Sequence, residues 1–155
     1  MKKIVAEIVI LLGLGLAPLA AHAAPGQVAL QGDVKLQKTV VEAGKSRVVL
    51  AEPKVVVPGD RLLFTTRYAN ASGAAVQNFV VTNPLPGAVA LEAQAGDQVS
   101  VDAGKSWGKL AALTVADGKG GRRAAQAGDV THIRWTIPNI AAGASGKVEY
   151  HAIVR

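Results

Sequence analysis

Residues able to do chemistry gather most densely in Ser100-Val-Asp-Ala-Gly-Lys-Ser-Trp107, where two hydroxyls, a carboxylate, an amine and an indole fall within one short stretch. Gly104-Lys105-Ser106 matches the end of a phosphate-cradling loop, G-x-x-x-x-G-K-[ST], whose first glycine lets the backbone wrap the phosphates ahead of a helix. Val99 stands where that glycine belongs, Thr39 does so for the second copy at Ala43–Ser46, and no helical pattern follows either. Both stretches therefore read as glycine turns between strands. Elsewhere the reactive residues are sparse. His132 and His151 are the histidines beyond residue 23, the chain has no cysteine, and no G-x-S-x-G elbow raises a serine nucleophile. Nothing in the sequence fixes the distances among Glu42, Glu52, Glu92, Asp102 and Glu149 that an acid–base pair requires. No catalytic residue, cofactor-binding residue or metal ligand is assigned, and an enzyme is not expected. The one arrangement that would bring the two histidines together as a weak metal site is side-by-side pairing of their strands, without the usual further ligands.

The fuller spacing, Ser100-x-Asp102-x-Gly104-x-Ser106-Trp107, resembles the Asp-box of sialidases and other β-propellers, with serine where threonine is commoner. The resemblance implies a structural hairpin: the aspartate and hydroxyls satisfy backbone groups of a turn, and the tryptophan packs beneath it, remote from any catalytic group. A propeller repeats its unit around a channel, whereas the box occurs once here. It therefore predicts a hairpin with Trp107 in or near the core, and no hydrolase.

Met1-Lys2-Lys3, the apolar run from Ile8 to Leu19 and Ala21-His22-Ala23 together have the charged start, short apolar stretch and small residues of a cleavable signal peptide. A spanning helix needs roughly 20 apolar residues. Residues 1–23 are thus expected to be removed, leaving an exported chain, periplasmic or extracellular, with no stable membrane anchor. Residues 24–155 suffice for one domain and fall short of two. Without cysteine an exported domain has no disulfides, so its stability must come from burial and sheet hydrogen bonding. The net charge is +6, and +5 once Lys2, Lys3 and Glu7 are gone. The remaining basic residues stand singly apart from Arg122-Arg123, which argues against nucleic acid and allows only a salt-screened attraction to anionic surfaces.

The elements that must position these residues are strands. Short β-branched runs broken by Gly, Pro, Asn and Asp predict an all-β sandwich. In Arg61–Asn70, Leu62, Phe64, Thr66 and Tyr68 share one face, opposite Arg67. In Thr131–Pro138, Ile133, Trp135 and Ile137 oppose His132 and Arg134; in Lys147–Val154, Val148, Tyr150, Ala152 and Val154 oppose Glu149 and His151. The turn-rich connector Asn139–Gly146 suggests that these last two segments pair as a closing hairpin. Further strands are expected at Gln27–Gln37, Arg47–Val57, Gln77–Thr82, Gly87–Gln94, Gln98–Val101 and Leu110–Val115. Pro53 marks the second as an edge strand or a break. Asp117–Asp129 lacks apolar alternation and reads as a mobile basic loop. Pro58-Gly59-Asp60, Ala95-Gly96-Asp97 and Ala127-Gly128-Asp129 read as turns, without the spaced oxygen ligands of a calcium loop.

Val57–Val89 (VPGDRLLFTTRYANASGAAVQNFVVTNPLPGAV) combines a PGD turn, an alternating strand ending in Y-x-N, a small-residue turn and V-x-N-x-V-V-x-x-P-L-P. With the closing W-x-I-x-x-I-x-x-G-x-S of Trp135–Ser145, this is similar to the conserved repeat domain of bacterial exported and surface proteins, eleventh in the domain-of-unknown-function series. The resemblance spans about residues 55–154. It implies an immunoglobulin-like β-sandwich, often in tandem copies, with no assigned chemistry; here residues 24–56 would extend the sandwich ahead of the repeat domain at 57–155. The expectation is a single immunoglobulin-like β-sandwich behind a cleavable signal peptide, serving as a non-catalytic structural or protein-interaction module of the cell envelope. Binding by strand addition at Gln27–Gln37 or Arg47–Val57 is its natural mode. A small glycan-binding module that stacks sugars on Trp107, or a glycan hydrolase, are the alternatives.

Overall fold

The computed structural model describes residues 28–93 and 95–155, so the expected signal peptide lies outside the described residues. The chain runs β1 (Val28–Glu42), β2 (Lys45–Ala51), β3 (Arg61–Asn70), β4 (Val76–Pro84), β5 (Val89–Leu91), β6 (Gln98–Ser100), β7 (Thr114–Ala116), β8 (Arg122–Ala124), β9 (His132–Ile140) and β10 (Ser145–Val154). One antiparallel sheet has the order β2-β1-β3-β10-β5, a second has β4-β9-β6, and β7 pairs with β8 as a separate ribbon. The protein is all-β, with its sheets packed together as a sandwich.

Alternation builds the core. Leu62 and Phe64 of β3 lie in register with Ala152 and Tyr150 of β10. From the facing sheet, Val81, Val99 and Ile133 are fully buried. The Phe64 and Tyr150 rings stack at 4.7 Å, and Trp135 reaches across to Tyr150 at 6.3 Å. Burial in this aromatic layer pushes the Tyr150 hydroxyl well above its ordinary pKa.

β9 and β10 do not pair. β10 lies between β3 and β5, while β9 lies between β4 and β6, so the expected closing hairpin is instead a crossing from one sheet to the other. Alternation tells which face of a strand turns inward; two strands facing each other across a core satisfy it as well as two side by side. The crossing is decided at Asn70, whose amide donates to the Ala144 carbonyl at 2.8 Å and whose carbonyl accepts from Gly143 at 2.9 Å. Its side-chain nitrogen donates to the carbonyls of Ala74, Ile140 and Ala141 at 2.8, 2.9 and 3.1 Å, and its oxygen accepts from the amide and hydroxyl of Ser72. The end of β3, the start of β4 and the end of β9 are thus tied to one buried side chain.

Asp117–Asp129, expected as a mobile loop, holds β8 and a 3-10 turn at Ala127–Asp129. Polar side chains do here what apolar alternation does elsewhere. Asp117 accepts from the amides of Lys119 and Gly121 at 2.8 and 2.9 Å, and Arg122 donates to the Thr114 hydroxyl at 2.7 Å. Both terminal nitrogens of Arg123 reach Asp129 at 2.7 Å, the bidentate geometry that orders a guanidinium best.

Candidate functional site

The Asp-box stretch closes on itself. Val99 and Gly108 exchange backbone hydrogen bonds at 2.8 and 3.0 Å, making the neck of a loop that contains the motif. Ala103 and Gly104 both have positive φ, 60° and 85°, so the backbone reverses there. The buried Ser100 hydroxyl donates to Asp102 at 2.7 Å and accepts from the Gly104 amide at 2.9 Å. Asp102 in turn accepts from the amide and hydroxyl of Ser106 at 2.9 and 2.6 Å. These donors, Ser106 foremost and then Ser100, hold the Asp102 carboxyl far below the ordinary carboxylate range. A carboxylate so engaged is a fixed acceptor and a poor proton carrier. The geometry makes Ser100, Asp102, Gly104 and Ser106 parts of a turn.

Trp107 lies against the outer face of the three-stranded sheet and not in the core between the sheets. Its neighbours are Arg134, whose guanidinium carbon is 4.3 Å from the ring centroid, and His132, edge-on at 6.3 Å. Both belong to the side of β9 that alternation turns away from the core. The indole nitrogen donates to the Gly104 carbonyl at 3.0 Å. Arg134 therefore occupies a ring face that sugar stacking would use.

The other reactive groups are not brought together. His132 and His151 sit on strands of different sheets, which removes the side-by-side metal pair. Among the described residues no group of three His, Cys, Asp or Glu is placed to hold a metal ion. The aspartates of the three turns each accept from a backbone amide: Asp60 from Val57 at 2.9 Å, Asp97 from Thr136 at 2.5 Å, Asp129 from Gln126 at 2.8 Å. Each is committed at a separate site.

The feature that is left without an internal role is the β1–β2 hairpin. β1 pairs with β3 only through Gln37, opposite Arg61 at the start of β3, and pairs with β2 from Leu36 to Glu42. The five residues from Lys38 to Glu42 therefore project about 17 Å beyond the sheet, at about 3.3 Å per residue, with β2 as their only strand partner among the described residues. The arm turns on Ala43 and Gly44, at φ 50° and 76°, the pair of positive angles that a two-residue hairpin demands. Residues opposite one another share a face, so Val41, Val48 and Leu50 lie on the side away from the buried Leu36. They are 67 %, 58 % and 52 % exposed. Glu42 and Arg47 form an ion pair at 2.8 Å on the opposite side. Placing β1 at Gln27–Gln37 missed this arm. Its signal is in the sequence nonetheless: KTVVE and KSRVVL stand on either side of two turn residues.

Scans of the chain against protein-family models, curated proteins and solved structures find no match.

Proposed function

We propose that the chain is an exported, non-catalytic module with an immunoglobulin-like β-sandwich, acting at the cell envelope by binding protein. The observation that carries this reading is the projecting β1–β2 arm, whose outward valines and leucine are solvent-exposed at an open sheet edge. Exposed edges and clustered apolar residues are features that soluble proteins ordinarily cover. The reactive groups support the same reading, because Ser100, Asp102, Ser106, Asp60 and Asp129 are engaged in backbone turns and Asp97 accepts from the Thr136 amide of β9. The segments that carry the resemblance to the conserved repeat domain fall on β3, β4, β9 and β10, the strands that supply most of the two packed faces.

The test uses the chain expressed from Met1 with a C-terminal tag, and a Val48→Lys/Leu50→Lys variant. Each serves as bait in solubilised envelope extract at about 0.05 and 0.5 M salt, which straddles the screening range. The expected result is processing to a chain beginning at Ala24 and a discrete protein retained at high salt by the parent and lost from the variant. Equal retention by the variant, or capture at low salt alone, overturns the proposal.

A further inference from the structure

Building on the reading of this chain as a protein-binding module, we propose that the arm's partner is a second copy of the chain, joined edge to edge through β2. A two-stranded ribbon with no third strand is marginal in water, and among the described residues positions 38–49 have only each other as strand partners. β2 is the edge strand of the five-stranded sheet along its whole length.

The strand is complementary to itself. A two-fold axis through Val48, normal to the sheet, sets β2 antiparallel to its copy with Val48 opposite Val48 of the second copy. Ser46 then faces Leu50, Arg47 faces Val49 and Lys45 faces Ala51, so no two like charges are opposed. Moving the axis one residue toward the turn would set Arg47 against its own copy, which like-charge repulsion disfavours.

Backbone geometry selects the same register. Glu42 and Lys45 flank the two-residue turn as its hydrogen-bonding pair, and the alternation of an antiparallel ladder then turns the groups of Ser46, Val48 and Leu50 outward. These are the residues whose N–H and C=O groups meet across the axis. Val41, Val48 and Leu50 of both copies then make one apolar patch across four strands. Two marginal ribbons become one sheet.

The chain has no cysteine, so a single introduced thiol reports the register. Hydrogen-bonded antiparallel partners have Cα atoms about 5.5 Å apart, within disulfide range. Val48→Cys is therefore expected to give a covalent dimer on mild oxidation. Val41→Cys, about 20 Å from its copy by strand spacing, is expected to stay monomeric. Sedimentation of the parent should show a concentration-dependent dimer whose dissociation constant Val48→Lys raises at least about tenfold, with the melting of the domain unchanged. A monomer at every concentration, a dimer indifferent to Val48→Lys, or equal cross-linking of the two cysteine variants overturns self-pairing. A monomer that still captures an arm-dependent envelope protein overturns self-pairing alone and leaves the module reading standing. A monomer without arm-dependent capture removes both, and a monomer bound through the arm to anionic vesicles replaces both with a lipid surface.

Discussion

Asn70 Nδ2 donates to the Ile140 carbonyl at 2.9 Å, tying the last residue of β3 in the large sheet to the last residue of β9 in the small one. The residue is 1 % exposed, so water has no access to its side-chain amide. Asn70→Ala takes the side-chain donor from the Ile140 carbonyl, takes one of two donors from each of the Ala74 and Ala141 carbonyls, which keep the Ser72 hydroxyl and the Ala144 amide, and removes the acceptor of the Ser72 amide and hydroxyl. At about 1 kcal/mol for each net hydrogen bond, with more for a buried group left alone, the loss is about 3 kcal/mol. Thermal melting of the variant should fall by roughly 10 °C. Asn70→Asp should do no better, since a carboxylate has no donor for those carbonyls.

Gly96 offers a second test of packing between β6 and β9. Its φ is +72°, and a Cβ built there meets Ile133 Cγ2 at 2.6 Å and the Arg134 carbonyl oxygen at 2.7 Å. The carbonyl belongs to a strand and has no freedom to retreat. Gly96→Ala is expected to cost about 3 kcal/mol, combining strain with overpacking. Gly118→Ala, at φ +75° with open space around it, carries the strain alone, about 1 kcal/mol. Urea unfolding of the two variants should separate these contributions.

The acid limb of stability should belong to the turns. Asp102 is held low by Ser106 and Ser100, Asp117 by the amides of Lys119 and Gly121, and Glu149 by Lys147. Asp129, paired with Arg123, is brought down to about 2. A carboxyl with a lower pKa folded than unfolded stabilises the fold above its unfolded value of about 4 and gives that stability up as pH falls toward its folded value. Urea midpoints should be flat from about pH 5 to 8 and decline from about pH 4 to 2. Asp129→Asn should lower the plateau and flatten part of the decline; an unchanged slope would contradict the assignment.

Trp107 emission should report the Arg134 contact. In a Trp135→Phe background Trp107 is the single tryptophan. Substituting Arg134→Ala then uncovers one face of its ring, which should shift emission to longer wavelength and raise iodide quenching about two-fold, in keeping with loss of a cation–π cover. Emission unchanged by the substitution would show that the ring is shielded by something else.

Much of the sandwich was legible because alternation is a local property. Phe64 on β3, Trp135 on β9 and Tyr150 on β10 were all assigned to inward faces, and all three meet in one aromatic layer. Partner choice was not legible, because β3 and β10 lie some eighty positions apart in the chain and no local pattern encodes that pairing. Asn70 could be placed in a turn by its neighbours Ser72 and Gly73, whereas its grip on Ile140 depends on which sheet β9 joins. The order in Asp117–Asp129 was hidden for a different reason: Arg123 and Asp129 look like solvated charges until β7 and β8 bring them together. In the Asp-box stretch the spacing of Ser100, Asp102, Gly104 and Ser106 carried the turn geometry. Trp107 was harder, since a tryptophan covered by an arginine on an outer face has the same sequence signature as one in a core.

The place of β10 between β3 and β5 has a consequence for the order in which the molecule is assembled. A nascent or partly emerged chain that stops before Ser145 has β2, β1 and β3 with no neighbour on the β10 side, and the Phe64 ring without Tyr150 to stack upon. The large sheet therefore cannot be completed progressively from its first strand; it waits for its tenth. Such distant pairing belongs to the slow, millisecond-to-second end of single-domain folding.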